Sequence, residues 1–395
     1  MNETISLPPI PPLPPIPPLP PVAPPPPPAL PADLLFTGRR SEFMRLAARG
    51  AFLELVTLGF YRFWLATDIR RHLWSHTSVN GDAPEYTGTA KELLIGFLFA
   101  LAILAPIYLI YFLVGLEAER VRAFASVPLG LFFYLFAQFA IYRARRYRLT
   151  RTVWRGVRFW MTGSGVSYAW RAGLWGLLTL VTLGVALPWA RAALERYKMR
   201  HTAYGDLQGR FEATGWEFFK RGWWLWLLTP IALYVSPLLP FIYGAFKAVE
   251  WRWWLSGIRF GGVRLESNLP RSRLIGLYWK VIGWILVLAL VFSAYLAASA
   301  ALVASMTGDG FMEFFKSQDF AKSIPLLVLA GAGYLMFALA INVVMRVYLV
   351  RDLWVRVLES IDIHGIEAAA NVSARGDLAN ALGEGFADGL DVAGF

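Results

Sequence analysis

The sequence predicts a polytopic α-helical membrane protein with internal repeats and a cytoplasmic β-sheet domain assembled from five β-hairpins. Three observations carry this. Of 395 residues, 57% are hydrophobic and only 16% are charged, against about 25% charged in soluble domains. Uncharged runs at 93–116, 123–142, 172–190, 222–246, 281–308 and 323–345 match the ~20 residues that cross a bilayer core. Finally, the tetrapeptide VTLG at 56–59, followed by Trp64, returns 125 positions later at 181–184, followed by Trp189.

The chain opens on a proline-rich tail, residues 1–34. Residues 8–28 read PPIPPLPPIPPLPPVAPPPPP. Polyproline II has three residues per turn, so Ile10, Leu13, Ile16, Leu19 and Val22 form one apolar stripe. The tail reads as a semi-rigid spacer; the alternative is a ligand for an aromatic groove on a protein partner. Residues 1–7 carry no basic region and lead into prolines, so no cleavable signal peptide is expected.

From 35 to 395 apolar runs alternate with polar segments. Sliding the chain by 125 aligns Arg71 with Arg196, His76-Thr77 with His201-Thr202, Thr89 with Thr214 and Glu92 with Glu217. A second module, Gly156-Val157-Arg158-Phe159, recurs as Gly257-Ile258-Arg259-Phe260. Such matches indicate internal duplication, as in many transporter folds. The polar segments 67–91, 143–171, 191–216, 247–272 and 350–378 each hold two β-prone stretches around a turn signal. The turns fall at Asn80-Gly81, Gly163-Ser164-Gly165, Gly205-Asp206, Gly261-Gly262 and His364-Gly365. A lone hairpin is marginal in water, so five in one compartment are expected to pair into one sheet or partial barrel. An acidic segment, 379–395, closes the chain.

Lysine and arginine concentrate in the hairpin segments, which the positive-inside rule assigns to the cytoplasm. The links at 117–122 and 309–322 balance their charges and are expected outside. If 172–190 simply crossed, two basic segments would fall on opposite sides. The first copy of the motif, 44–69, contains Arg45, Arg49, Glu54, Arg62 and Asp68, and a charge at the bilayer centre costs at least ~2.5 kcal/mol. Both copies are therefore read as cytoplasmic-side re-entrant or interfacial helices. Gly59 and Gly184 mark the break, Thr57 and Thr182 bond the freed carbonyls, and Trp64 and Trp189 sit at headgroup level. About six spans remain, in three helical hairpins: 92–116 with 123–142, 217–235 with 236–254, and 281–306 with 323–345. The rival topology has seven or eight ordinary spans.

The TLG-x4-W frame, the segment EYTGTAKELLIGF at 85–97, WRGVRF at 154–159 and ALGEGFADGLDV at 381–392 together resemble the YjgN-like family of bacterial inner-membrane proteins. The resemblance covers about 35–395. It implies an inner (plasma) membrane location and supplies no substrate, cofactor or catalytic residue.

Little in the sequence carries chemistry. The chain has no cysteine, which excludes disulfides, zinc-thiolate sites and thiol nucleophiles. His76-Thr77 and His201-Thr202 occupy equivalent positions; a paired polar or metal site is weighed against histidines that bond a neighbour. Glu92 and Glu217 begin spans and suit helix N-termini. Arg70, Arg71, Arg143, Arg145, Arg146, Arg148, Arg196, Lys198 and Arg200 lie near the inner surface. There anionic membrane lipids attract each basic residue by about 1 kcal/mol; nucleic acid is not expected as a partner. No cofactor, metal or catalytic residue is assigned, and a homo-oligomer is open. The leading reading is a non-catalytic lipid- or partner-binding envelope module. The alternatives are a passive channel or carrier with a polar cavity near Gly59 and Gly184, and a lipid-modifying enzyme dependent on His76 or His201.

Overall fold

The computed structural model describes residues 32–119, 127–307, 320–376 and 378–379. Most of the proline-rich tail, parts of both outer links and nearly all of the acidic segment lie outside the described residues.

The chain repeats one unit: a strand, two helices, and a strand paired with the first. β1 (Leu34–Phe36) leads into α1 (Arg40–Val56) and α2 (Arg62–Ser75), which return to β2 (Thr77–Val79). Leu34 lies opposite Val79 and Phe36 opposite Thr77. From β3 (Glu85–Tyr86), α3 (Ala90–Glu119) and α4 (Val127–Thr150) return to β4 (Thr152–Trp154), again a paired neighbour. From β5 (Val157–Met161), α5 (Gly165–Val181) and α6 (Leu187–Arg200) return to β6 (Thr202–Tyr204). From β7 (Leu207–Phe211), α7 (Gly215–Tyr234) and α8 (Leu239–Gly257) return to β8 (Ile258–Phe260). From β9 (Val263–Ser267), the long α9 (Arg271–Thr307) is followed by α10 (Phe320–Met345), a π-helical turn (Arg346–Asp352) and α11 (Leu353–Leu358), ending at β10 (Ile361–His364). Each helical pair starts and ends on hydrogen-bonded neighbours, so each leaves the sheet and comes back to it.

Strands β3 to β10 form one antiparallel sheet in chain order. Ala32 N–H donates to the Ile363 carbonyl at 2.8 Å, tying the β1 end to the β10 edge. One core of the sheet buries Ala32, Trp154, Tyr204 and Ile363 together with Ile366 and Ala369 of a 3₁₀ turn, Ile366–Ala369, while Phe211 and Ile258 pack on α7 and α8. Gly365 makes that turn possible. Its φ is 71°, and a Cβ there would lie 2.5 Å from the Gly262 carbonyl oxygen. Gly365→Ala is expected to cost about 1–3 kcal/mol, checked by thermal denaturation in detergent.

The strand pairing differs from the expected five hairpins. Tight hairpins form at β4/β5, β6/β7 and β8/β9. The first of these, β4/β5, in the segment 143–171, turns at Arg155 and Gly156, both at positive φ, rather than at 163–165. That Gly-Ser-Gly segment instead starts α5, with Ser164 Oγ accepting from Ser167 N–H at 3.4 Å. In the first segment β2 pairs with β1, and only a single bridge, Val79 to Asp82, spans the Asn80-Gly81 turn. In the fifth, 366–370 enters the 3₁₀ turn and fills the sheet core instead of adding a strand.

Among the described residues, four helical segments are long and apolar enough to cross a membrane: Ala90–Leu113, Val127–Thr150, Arg271–Met306 and Ile324–Leu358. α7 and α8, expected as a third crossing pair, are not among these four. Glu217, Lys220 and Arg221 occupy the first turns of α7, and Lys247, Glu250 and Arg252 the last turns of α8. The uncharged stretch between Arg221 and Lys247 is little longer than one crossing needs. Thr214 and Glu217 form a reciprocal capping box that starts α7. Glu92, at the start of α3, accepts from Tyr147 Oη at 2.6 Å and pairs with Arg151 at 2.6 Å. The small residues Ser293, Ala297, Ala301 and Ser305 face outward on α9, while Val303 and Ala304 pack on Leu326 and Leu329 of α10.

Candidate functional site

The two VTLG segments form the same turn atom for atom. In the first, Leu58 N–H donates to the Leu55 carbonyl at 3.2 Å and Gly59 N–H to the Glu54 carbonyl at 2.7 Å. In the second, Leu183 donates to Leu180 at 3.1 Å and Gly184 to Thr179 at 2.7 Å. This is the Schellman arrangement that ends a helix. It places Leu58 at φ 51° and Leu183 at φ 49°, a left-handed conformation that costs a branched residue energy, with Gly59 and Gly184 following at 92° and 89°. The threonine joins the two helices. Thr57 Oγ1 donates to the Leu53 carbonyl at 2.7 Å and accepts from Tyr61 N–H at 2.9 Å. Thr182 Oγ1 does the same with Leu178 (2.7 Å) and Ala186 (3.1 Å).

Both tips present apolar side chains outward. Leu58 is 91% exposed and Leu183 80%, beside exposed Phe52, Val56 and Phe60 in one copy and Leu180 and Val181 in the other. Exposed apolar groups on this scale mark a partner or a membrane.

The hairpins sit differently against their neighbours. At the base of α1, Arg40 binds Asp352 at 3.1 Å; near its tip, Glu54 binds Arg346 at 2.7 Å. These two ion pairs fasten both ends of α1 to the π-helical turn that follows α10. α5 instead climbs alongside α4: Gly165 packs on Phe139, Gly173 on Leu135 and Gly176 on Tyr134. Its tip is held by α7, where Trp226 Nε1 donates to the Leu183 carbonyl at 3.0 Å. Nothing lies within 4 Å of a Cβ built on Gly59. Trp64 stacks on Tyr61, with centroids 6.3 Å apart, and Trp189 packs on Phe219 at 5.3 Å.

Two cavities flank the second tip. One, about 680 Å³, lies among α4, α5, α6 and α7; its polar lining comes from Gln138, Thr179, Arg191 and Thr229. The other, about 300 Å³, lies against α7 and α8 and is walled by Phe218, Phe219, Trp223, Leu239 and Phe246. Gly184, Leu187, Trp226 and Thr229 border both.

Below the larger cavity lies a charge cluster. Glu195 is buried and binds Lys198 on its own helix and Arg145 of α4 at 3.4 Å. Burial pushes the Glu195 carboxyl up, but Lys198 and Arg145 more than offset this and hold it at about 2. Glu250 of α8 binds Lys247 at 2.7 Å and Arg191 at 3.7 Å.

The remaining sequence-picked residues are distributed as follows. His76 and His201 cap the C-termini of α2 and α6, each with Nδ1 2.7 Å from the carbonyl four residues back, His72 and Tyr197 respectively. Thr77 and Thr202 likewise bond Leu73 at 2.8 Å and Lys198 at 2.9 Å. The two histidines sit in separate, equivalent surroundings, His76 beside His72 and Phe36, His201 beside Tyr197 and Gly163. Burial lowers the His72 pKa, reinforced by neighbouring His76. Among the described residues no group of three His, Asp or Glu side chains converges to hold a metal ion. Arg70 is buried against Tyr86 Oη at 3.3 Å, and Arg71 donates to the Gly88 carbonyl at 2.9 Å. Arg145 and Lys198 turn inward to Glu195. Arg196 and Arg200 are exposed, while Arg143, Arg146 and Arg148 are half-buried on α4.

Sequence reasoning missed Glu195, Arg191, Glu250 and Trp226. The Glu195–Lys198 spacing was a readable signal, being an i,i+3 pair in a basic segment; the others depend on long-range packing. No curated protein and no solved structure matches the chain. A family model described as "Bacterial protein of unknown function (DUF898)" matches residues 31–389. With nearly the whole repeat architecture inside that match, the chain belongs to this bacterial family, the YjgN-like proteins.

Proposed function

We propose that the protein is a non-catalytic module of the bacterial inner membrane whose two short hairpins dip into the inner leaflet and hold anionic lipid, or a partner presented there, beside a cytoplasmic sheet. The carrying observation is the pair of exposed leucines, Leu58 and Leu183, on identical left-handed turns. Depth supports half-insertion. Trp226, which fixes the second tip, lies about 8 Å along α7 beyond Arg221, the last charge before the apolar stretch. The hydrocarbon core is ~30 Å thick, so the tip stops in its inner half. Pairing supports a single side for the strands, because each excursion returns to a hydrogen-bonded neighbouring strand, four of the five within the eight-stranded sheet, and the basic residues at the helix bases favour the cytoplasm.

In this reading α3/α4 and α9/α10 cross, α1/α2 and α5/α6 re-enter, and α7/α8 reaches intermediate depth. Six spans would require α7/α8 to cross as well. The chain has no cysteine, so single cysteines can be labelled on intact cells. Cysteines at Asn80 and Asp206 are expected to react only from the cytoplasmic face. Tyr234→Cys, at the α7 end, is expected to resist reagent from outside; rapid outside labelling restores six spans. Reaction of the Asn80 and Asp206 positions from opposite faces would sink the reading. The cavity near Gly184 favours a second reading, a passive carrier, which solute flux in reconstituted vesicles tests directly.

A further inference from the structure

We propose that the cleft among α4, α5, α6 and α7 is a stoichiometric site for one anionic glycerophospholipid of the inner leaflet. Its phosphate meets Arg191, and an acyl chain passes Trp226 into the cavity against α7 and α8. This rests on the half-depth reading of the second hairpin and assigns it a ligand.

The charge balance gives the headgroup its sign. Glu195 is already shared by Arg145 and Lys198, and Glu250 is held closely by Lys247 at 2.7 Å. Arg191 reaches Glu250 only at 3.7 Å, and half of its side chain is exposed. Four cations thus face two carboxylates, and the least committed cation is the one that lines the cleft. A phosphate diester complements that surplus through charge-assisted hydrogen bonds. The ammonium of a zwitterionic headgroup would meet the same cations with like charge.

The polarity gradient orients the molecule. Arg191 lies at the base; Gln138 supplies an amide along the walls, while the Thr179 and Thr229 hydroxyls donate to the Trp175 and Leu225 carbonyls and present only acceptor oxygens to the cleft. The adjoining cavity is walled by aromatic and aliphatic side chains, from Phe218 and Phe219 near the α7 start to Trp226 beside the tip and Leu239 and Ile242 of α8. Head at the cytoplasmic surface and chain toward the bilayer middle is how an inner-leaflet lipid stands. The two volumes, about 680 and 300 Å³, fall within the ~300–1,000 Å³ of small-ligand sites.

The first hairpin does not build this site. By the 125-residue offset, Ala66 stands where the second copy has Arg191, and Arg70 where it has Glu195. The two copies share the tip; between them, the second alone carries the cation and the carboxylate beneath it.

The test is native mass spectrometry of the full chain in mixed micelles with equal phosphatidylglycerol and phosphatidylcholine. The wild type is expected to retain one phosphatidylglycerol in preference to phosphatidylcholine. Arg191→Gln is expected to lower that retention about tenfold, as for loss of one hydrogen bond to a charged group. Gly222→Leu, which fills the apolar cavity while leaving Arg191 in place, is expected to lower it too. Equal retention of both lipids by the wild type, or undiminished phosphatidylglycerol on Arg191→Gln, overturns the site. Spin labels at Phe60→Cys and Val185→Cys separate the two levels of inference. If lipid preference is lost but both labels still report hydrocarbon, the site fails and the half-depth reading stands; if they report water, both fail.

Discussion

Glu195→Gln is expected to destabilise the purified protein by about 3–5 kcal/mol, the cost of leaving buried charges uncompensated. The side chain is buried, and it alone joins Lys198 of its own helix to Arg145 of α4. Glutamine keeps the size and loses the charge, leaving two cations facing each other in a desolvated site. Thermal denaturation in detergent reads the loss, and Lys198→Met in the same chain should recover part of it by removing the excess charge. The pH dependence has a definite sign. The carboxyl is held at about 2 against an ordinary 4.5, so the folded state binds this proton less readily than the unfolded one. The stabilisation is full above pH 4.5 and is lost as pH falls from 4.5 toward 2, amounting to about 3 kcal/mol. Glu195→Gln should flatten that part of the acid profile. An unchanged melting temperature would remove Glu195 from its role as the floor of the cleft.

How far the sequence carried this architecture depended on the range of each interaction. The turn of the short hairpins was legible because it is local: Thr, Leu and Gly in succession write the cap, the left-handed residue and its escape, and the chain writes them twice. Strand positions were legible from Gly and Asn turns, but their partners were not. Gly163-Ser164-Gly165 looks like a hairpin turn, yet Ser164 caps α5. The real turn puts Arg155 at φ 49°, which side-chain identity does not advertise. Residues 366–370 read as a strand by apolar content, but Gly365 reverses the chain and sends Ile366 into the sheet core. Of the six expected crossings, α7/α8 is the pair the sequence leaves least defined, because only 25 uncharged residues separate Arg221 from Lys247. The cleft was out of reach altogether. Arg145 and Glu195 are separated by 50 residues, and Trp226 and Leu183 by 43, so neither pair leaves a periodic trace.

If the proposed half-depth insertion holds, Leu58→Asp and Leu183→Asp together should drive both tips out of the hydrocarbon. Each leucine is the most exposed apolar group of its turn, at 91% and 80%, and neither packs the protein interior, so the substitutions spare the fold. A carboxylate in the membrane costs about 2.5–3.5 kcal/mol at the bilayer centre, giving an upper limit of about 7 kcal/mol for the pair. Aspartate is also a short side chain that cannot snorkel as arginine can. The cost should differ between copies. The first tip is open, with nothing within 4 Å of a Cβ built on Gly59, so it can tilt toward water. The second is tied to Trp226 and flanked by α4, so it must break the bond to the Leu183 carbonyl to leave. Oxygen accessibility of spin labels at Phe60→Cys and Val185→Cys reads each tip separately. The expected result is a larger shift from lipid to water at the first position, and a smaller one, with loss of phosphatidylglycerol retention, at the second. If neither label moves, the leucines face something other than lipid, and the tips are contacts for protein rather than anchors in the leaflet.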